Sequence, residues 1–240
     1  MKSGLFLTIV VLSACLTPTA QAGSPFPLNG LQEGRMTLVG HRDREQITAT
    51  YTVQKESRAG VPWLHVLWES NVDRIEGWLR PDGQPIRTIY DRYTSNEHIE
   101  IDYTEAGATF SYTRAQQTKT RQISRANLVE VLLIDVLLLA YPFDTPAEIV
   151  FPIINSQSDS GDTYSMFAKL DAVEEVTVAG VKHQAYKIKL GVSGFVGLFA
   201  PTYYLWYAVA PPHRYLKYQG PDESYELKEG GLGVSARGVP

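Results

Sequence analysis

His98-Ile99-Glu100-Ile101-Asp102-Tyr103, then Ala106-Gly107, then Thr109 to Thr113, alternates, turns and returns. Ile99, Ile101 and Tyr103 share one face and His98, Glu100 and Asp102 the other, the period of two of a strand buried on one side. With the turn between, this reads as a β-hairpin. The same period recurs at Ile47, Ala49, Tyr51 and Val53 against Thr48, Thr50, Thr52 and Gln54. Further strands are predicted over 63–69, 74–79 and 86–93, with Pro81-Asp82-Gly83 as a turn. Connections this short imply an antiparallel meander from 34 to 122.

The pattern changes once. From Leu128 to Tyr141 only Glu130 and Asp135 are polar, and Pro142 closes the run. Abundant Leu predicts a helix of about four turns, with Ser124 as N-cap and burial on nearly every side. It is too short to span a bilayer, and each of its acids would cost about 2.5 to 3.5 kcal/mol there. The two acids are five apart, so at least one should reach solvent, a rim or a basic partner such as Arg121 or Arg125. Short strands resume over 147–154, 164–170, 173–178, 183–190, 203–209, 215–218 and 224–227. The fold class is mainly β: a highly curved antiparallel sheet or incomplete β-barrel wrapping one apolar α-helix. Whether the helix plugs the concave face or covers it as a lid stays open.

At the chain start, Lys2, the apolar run 5–12 and Ala20-Gln21-Ala22 form a secretory signal peptide over 1–22. Leu12-Ser13-Ala14-Cys15 resembles a lipobox, so a second mature form would carry a lipid on Cys15 and associate with a membrane through it. Processing at Ala22 is preferred. Residues 23–33, with Gly23, Pro25, Pro27 and Gly30, are expected as a flexible leader, 34–229 as one β-rich domain and 230–240 as a disordered tail. Roughly 215 residues remain after the signal, enough for a single large core. Cys15 is the one cysteine, so no intramolecular disulfide forms. Loss of Lys2 moves net charge from -4 to -5, and with no block of like charge the composition argues against nucleic acid.

Several phrases carry a family resemblance over roughly 127–227. Tyr141-Pro142-Phe143 is followed by Glu174-Glu175-Val176-Thr177-Val178-Ala179-Gly180 and Ala185-Tyr186-Lys187-Ile188. Leu205-Trp206-Tyr207 and Pro212-His213-Arg214-Tyr215-Leu216-Lys217-Tyr218 complete the set. Together they resemble exported bacterial proteins of domain-of-unknown-function family 3108. The resemblance implies a half-barrel outline like that of periplasmic lipoprotein and lipid carriers, and brings no catalytic residues.

No catalytic, metal or cofactor site is assigned. His98, Glu100 and Asp102 share a strand face, but residues two apart sit roughly 6.5 to 7 Å apart, too far for three to reach one ion. Asp159-Ser160-Gly161-Asp162 lacks the alternating ligands and closing Glu of a calcium loop. Gly191-Val192-Ser193-Gly194 lacks the second glycine of a nucleophile elbow. The remaining histidines are isolated.

The most suggestive segment is 194–212. Phe195 and Phe199 are read as the lip of an apolar groove, and Tyr203, Tyr204, Trp206 and Tyr207 as its lining, with Trp63, Trp68 and Trp78 as further candidates. An ordinary core strand behind a packed loop is the competing reading. The sequence thus describes an exported, non-enzymatic protein of the bacterial periplasm or envelope, binding an apolar or amphipathic ligand such as a lipid. An interaction or assembly protein with no small ligand is the alternative, and a hydrolase the third.

Overall fold

The computed structural model describes residues 24–234; the expected signal peptide and Cys15 lie outside them. Eight strands follow one another as an antiparallel meander: β1 (Gly34–Arg42), β2 (Glu45–Arg58), β3 (Val61–Ser70), β4 (Asp73–Leu79), β5 (Pro85–Arg92), β6 (Glu97–Thr104), β7 (Gly107–Arg114) and β8 (Gln117–Ile123). After β9 (Val129–Glu130), a second meander runs through β10 (Ile149–Asn155), β11 (Asp162–Val178), β12 (Val181–Val192), β13 (Tyr203–Ala208), β14 (Tyr215–Gln219) and β15 (Glu223–Gly230). The two halves join where β1 pairs antiparallel with β15, giving one 15-stranded sheet with β8 and β9 at its ends. It is an open, strongly curved sheet, not a closed barrel.

Alternation explains the strands. On β2, Ile47, Ala49, Tyr51 and Val53 are buried while the intervening threonines reach the outer face; on β6, Ile99 and Ile101 point inward. The expected hairpin is β6–β7, with Tyr103 opposite Ala108 and Thr104 opposite Gly107. The two strands expected over 164–178 are one, β11, carrying a register irregularity between Leu170 and Ala172.

The apolar run at 128–141 differs from the four-turn helix its composition predicts. Val129 and Glu130 pair in parallel with Ile153 and Ile154 of β10, and a 3-10 turn (Val131–Leu133), α1 (Ile134–Leu137) and another 3-10 turn (Leu138–Ala140) follow. Two causes act. β-Branched Val129, Val131, Ile134 and Val136 resist helix. Glu130, not Ser124, is the cap: its carboxylate accepts from the Leu132 amide at 3.2 Å. Leu133, Val136, Leu137 and Leu138 are fully buried, so this segment plugs the concave face.

Glu130 itself is fully buried. Tyr103 donates to it at 3.1 Å and Ser156 at 2.7 Å. Of the two acids it is Asp135 that reaches a cavity wall, while the basic partners considered are engaged elsewhere: Arg121 donates to the Ser160 carbonyl and Arg125 to the Ser165 hydroxyl. Those two bonds, with Arg92 donating to the Gln157 carbonyl, tie the first meander to the second across the open side of the sheet. Ser156→Ala will leave a lone pair of a buried carboxyl without its donor and lower unfolding free energy by about 1–3 kcal/mol, measurable by urea denaturation.

The segment read as a leader is part of the core. Phe26, Leu28 and Leu31 are buried, and Phe26 packs edge-on against Phe151 at 5.0 Å. The Leu28 amide donates to the Pro81 carbonyl, and Leu31 forms a bridge with Val234. Leu232 is buried too, so the domain extends past both expected limits. Proline and glycine mark irregular backbone, and three apolar side chains among them are enough to dock it.

Candidate functional site

The plug does not fill the concave face completely. On one side of α1 a cavity of about 250 Å³ remains, between the plug and strands of both meanders. Its walls are apolar side chains, among them Ile75, Ile134, Met166, Leu190 and Leu205. Near its mouth stand Asn155, Gln157 and Tyr164, the last 39 % exposed. Ligand pockets span about 300–1,000 Å³, and this volume lies just below that range.

One flank of the cavity is aromatic. Tyr203 stacks on Tyr218 (6.2 Å), Tyr218 on Tyr225 (6.0 Å), Tyr225 meets Trp68 edge-on (5.5 Å), and Trp68 meets Tyr51 (4.9 Å). All five line the cavity. Edge and stacked contacts of this kind add to area burial and hold the rings in place. Burial keeps the phenols neutral, pushing Tyr51 and Tyr215 well above the ordinary tyrosine range.

Charged groups are few and held. Arg42 pairs with Asp73 at 2.7 Å and with Glu223 at 3.1 Å. Glu223 also accepts from Tyr218 at 2.9 Å and from Tyr225 at 3.2 Å. Asp135, on α1, accepts from Tyr51 at 2.6 Å and from the Val136 amide at 2.9 Å. Burial pushes the Asp135 carboxyl up to about 6, against the Tyr51 hydrogen bond that lowers it. Glu130, behind the plug, is pushed up to about 7 by burial.

Strand period distributes the residues expected from sequence. Of the four aromatics expected from 203–207, Tyr203 faces the cavity, as does Leu205 between them. Tyr207 points the same way but is fully buried, donating to the Asp135 carbonyl at 2.7 Å and so fixing α1 from behind. Tyr204 and Trp206 fall on the opposite face. There Lys187 lies over both rings, Lys217 over Trp206, and Glu174 accepts from the indole at 2.8 Å. Trp206 belongs to a second apolar cluster with Val178, Ala185, Ala208 and Leu216. Phe195 and Phe199 pack edge-on to each other at 5.7 Å and are 78 % and 81 % exposed, outside the cavity, in the loop between β12 and β13 that follows Val192. Of the tryptophans, Trp68 lines the cavity, and Trp78 stacks on His65 at 5.0 Å on the outer face.

Sequence reasoning missed most of the lining. Arg42, Glu223 and Tyr225 come from opposite ends of the chain and meet only through the β1–β15 pair. The signal available was Asp135, one of two acids in an otherwise apolar run.

Other arrangements carry ordinary contacts. His98 pairs with Asp91 at 2.6 Å and Glu100 at 3.2 Å, while Asp102 faces Arg87. The Asp91 and Glu100 hydrogen bonds outweigh burial and raise the His98 pKa. Among the described residues no three His, Cys, Asp or Glu side chains group as metal ligands. Ser193 donates to the Ser165 carbonyl at 3.0 Å, and Ser158, bonded to Ser160 and Asp162, organises the 156–162 loop.

No family model and no curated protein matches the chain, so membership of family 3108 in particular is not confirmed. Solved structures do resemble it. A β-barrel-like protein of domain of unknown function 1849 from Brucella abortus superposes with a TM-score of 0.53 at 9% identity, covering 84% of this chain and 98% of that one. A “putative lipoprotein” from Parabacteroides distasonis covers 88% of this chain and 99% of its own at 10% identity, with a TM-score of 0.31, too low to support an argument. The chain shares the barrel-like β fold of the Brucella protein, and at that identity the likeness extends to fold alone.

Proposed function

We propose that the chain is an exported envelope protein, without catalytic activity, that holds a single-chain amphipathic molecule between sheet and plug. The carrying observation is the cavity itself: a curved sheet around an apolar plug leaves about 250 Å³ unfilled, where a scaffold would pack closed. Apolar walls with a few fixed polar groups are what such a molecule needs. Export rests on the N-terminal sequence, whose Lys2, apolar run and Ala-Gln-Ala site specify secretion.

The test is native followed by denaturing mass spectrometry on protein from an envelope fraction. A small molecule released on denaturation supports the reading. A bare polypeptide mass favours an interaction protein, for which Phe195, Leu198 and Phe199, at 78 %, 75 % and 81 % exposure, are the partner-facing residues. The same spectrum reads the N-terminus: Gly23 for a free protein, an acylated Cys15 for a membrane-tethered one. Val192→Trp, placed at the cavity wall, will cut binding of a single-chain probe at least about tenfold, with Val192→Ala as the control that keeps it and far-ultraviolet circular dichroism unchanged in both.

A further inference from the structure

Charge and aromatic faces around the cavity decide which polar end its occupant carries. Of the residues lining it, Arg42 is the one full cation, and two carboxylates already hold it, Asp73 at 2.7 Å and Glu223 at 3.1 Å. Asp135 has no cation within ion-pair reach among the described residues; its side chain is met by the Tyr51 hydroxyl and the Val136 amide. The site therefore carries an excess of negative charge. The ring series Tyr203, Tyr218, Tyr225, Trp68 and Tyr51 runs along one wall and ends at Asp135, which the Tyr51 hydroxyl meets. Aromatic faces attract cations, most strongly where water is excluded. An anionic head would meet like charge from Asp135 and Glu223, and a neutral head would at most donate a hydrogen bond, without the charge–charge attraction to either.

We propose that the cavity selects a cationic amphipath, an alkylammonium head seated against Asp135 and the tyrosine–tryptophan wall with its chain among Ile75, Met166, Leu190 and Leu205. This rests on the amphipath-binding reading above. An eight-carbon chain with three different heads separates the two claims. Calorimetric titration at pH 7.5 with octyltrimethylammonium, octanoate and 1-octanol will show the cation binding at least about tenfold more tightly than the other two, a difference of about 1.4 kcal/mol. Asp135→Asn, of the same shape, will remove that advantage and leave 1-octanol unchanged. If octanoate or 1-octanol binds as well as the cation, or if Asp135→Asn leaves cation affinity intact, the charge selection is wrong while the cavity reading stands. If none of the three binds, the cavity reading itself falls and selection falls with it.

Discussion

Gly40→Val will lower the melting temperature by about 6–12 °C, corresponding to a loss of about 3 kcal/mol or more for a domain of this size. A Cβ at position 40 would sit 1.8 Å from the Ser224 carbonyl oxygen and 2.8 Å from its carbon. Those atoms are backbone, so relief requires moving β15 away from β1. That pair is the join between the two meanders, with Gly40 opposite Tyr225 and Arg42 opposite Glu223. Strain here therefore spreads to the cavity, because Glu223 and Tyr225 leave their places beside Arg42. Differential scanning calorimetry measures the loss; an unchanged transition would mean that β15 approaches β1 less closely than described.

The second large effect is on pH dependence. An acid whose folded pKa is raised binds more protons folded than unfolded, so its contribution to stability falls as pH rises from the unfolded value to the folded one. Glu130 moves from 4.5 to about 7, and Asp135 from 3.8 to about 6, both through burial. Ionisation of Glu130 alone costs up to about 3 kcal/mol by pH 8. Glu130→Gln removes that cost: variant and wild type will have similar urea midpoints at pH 4, and the variant will gain steadily between pH 4.5 and 7. Parallel curves across that range would show that the Glu130 carboxyl is not held in the dry site described. The comparison isolates the acid from groups shifted the other way, such as Glu97, whose pKa is lowered, despite burial, by its Tyr112 hydrogen bond and the neighbouring Arg92 and Arg114.

Most of the fold was legible because alternation is local. Ile47 to Val53 and Ile99 to Tyr103 carry their own inward face whatever they pair with, and their neighbours in the sheet are mostly their neighbours in the chain. The plug was legible as buried but not in its conformation. Its Leu content speaks for helix, while the cap at Glu130 and the parallel pairing of Val129 depend on β10 and Ser156, which lie more than twenty residues on. The cavity was the least legible part. Aromatic density pointed to 195–207, and of the aromatic side chains there one, Tyr203, lines it. Period two sent Tyr204 and Trp206 outward to a second apolar cluster that composition could not distinguish from a ligand wall. The residues that give the cavity its charge come from β1, α1 and β15.

The β1–β15 join also sets a timetable. Arg42 and Glu223 are 181 residues apart, so wherever the chain folds, β1 must wait for a partner from the far end of the sequence, a slow non-local pairing. Through that interval β1 can pair with β2 on one side while its other edge offers bare amides and carbonyls to any passing strand. Such an edge is an aggregation hazard. Arg35 and Arg42 stand near its two ends, putting positive charge on the nascent edge until the last strand arrives to cover it.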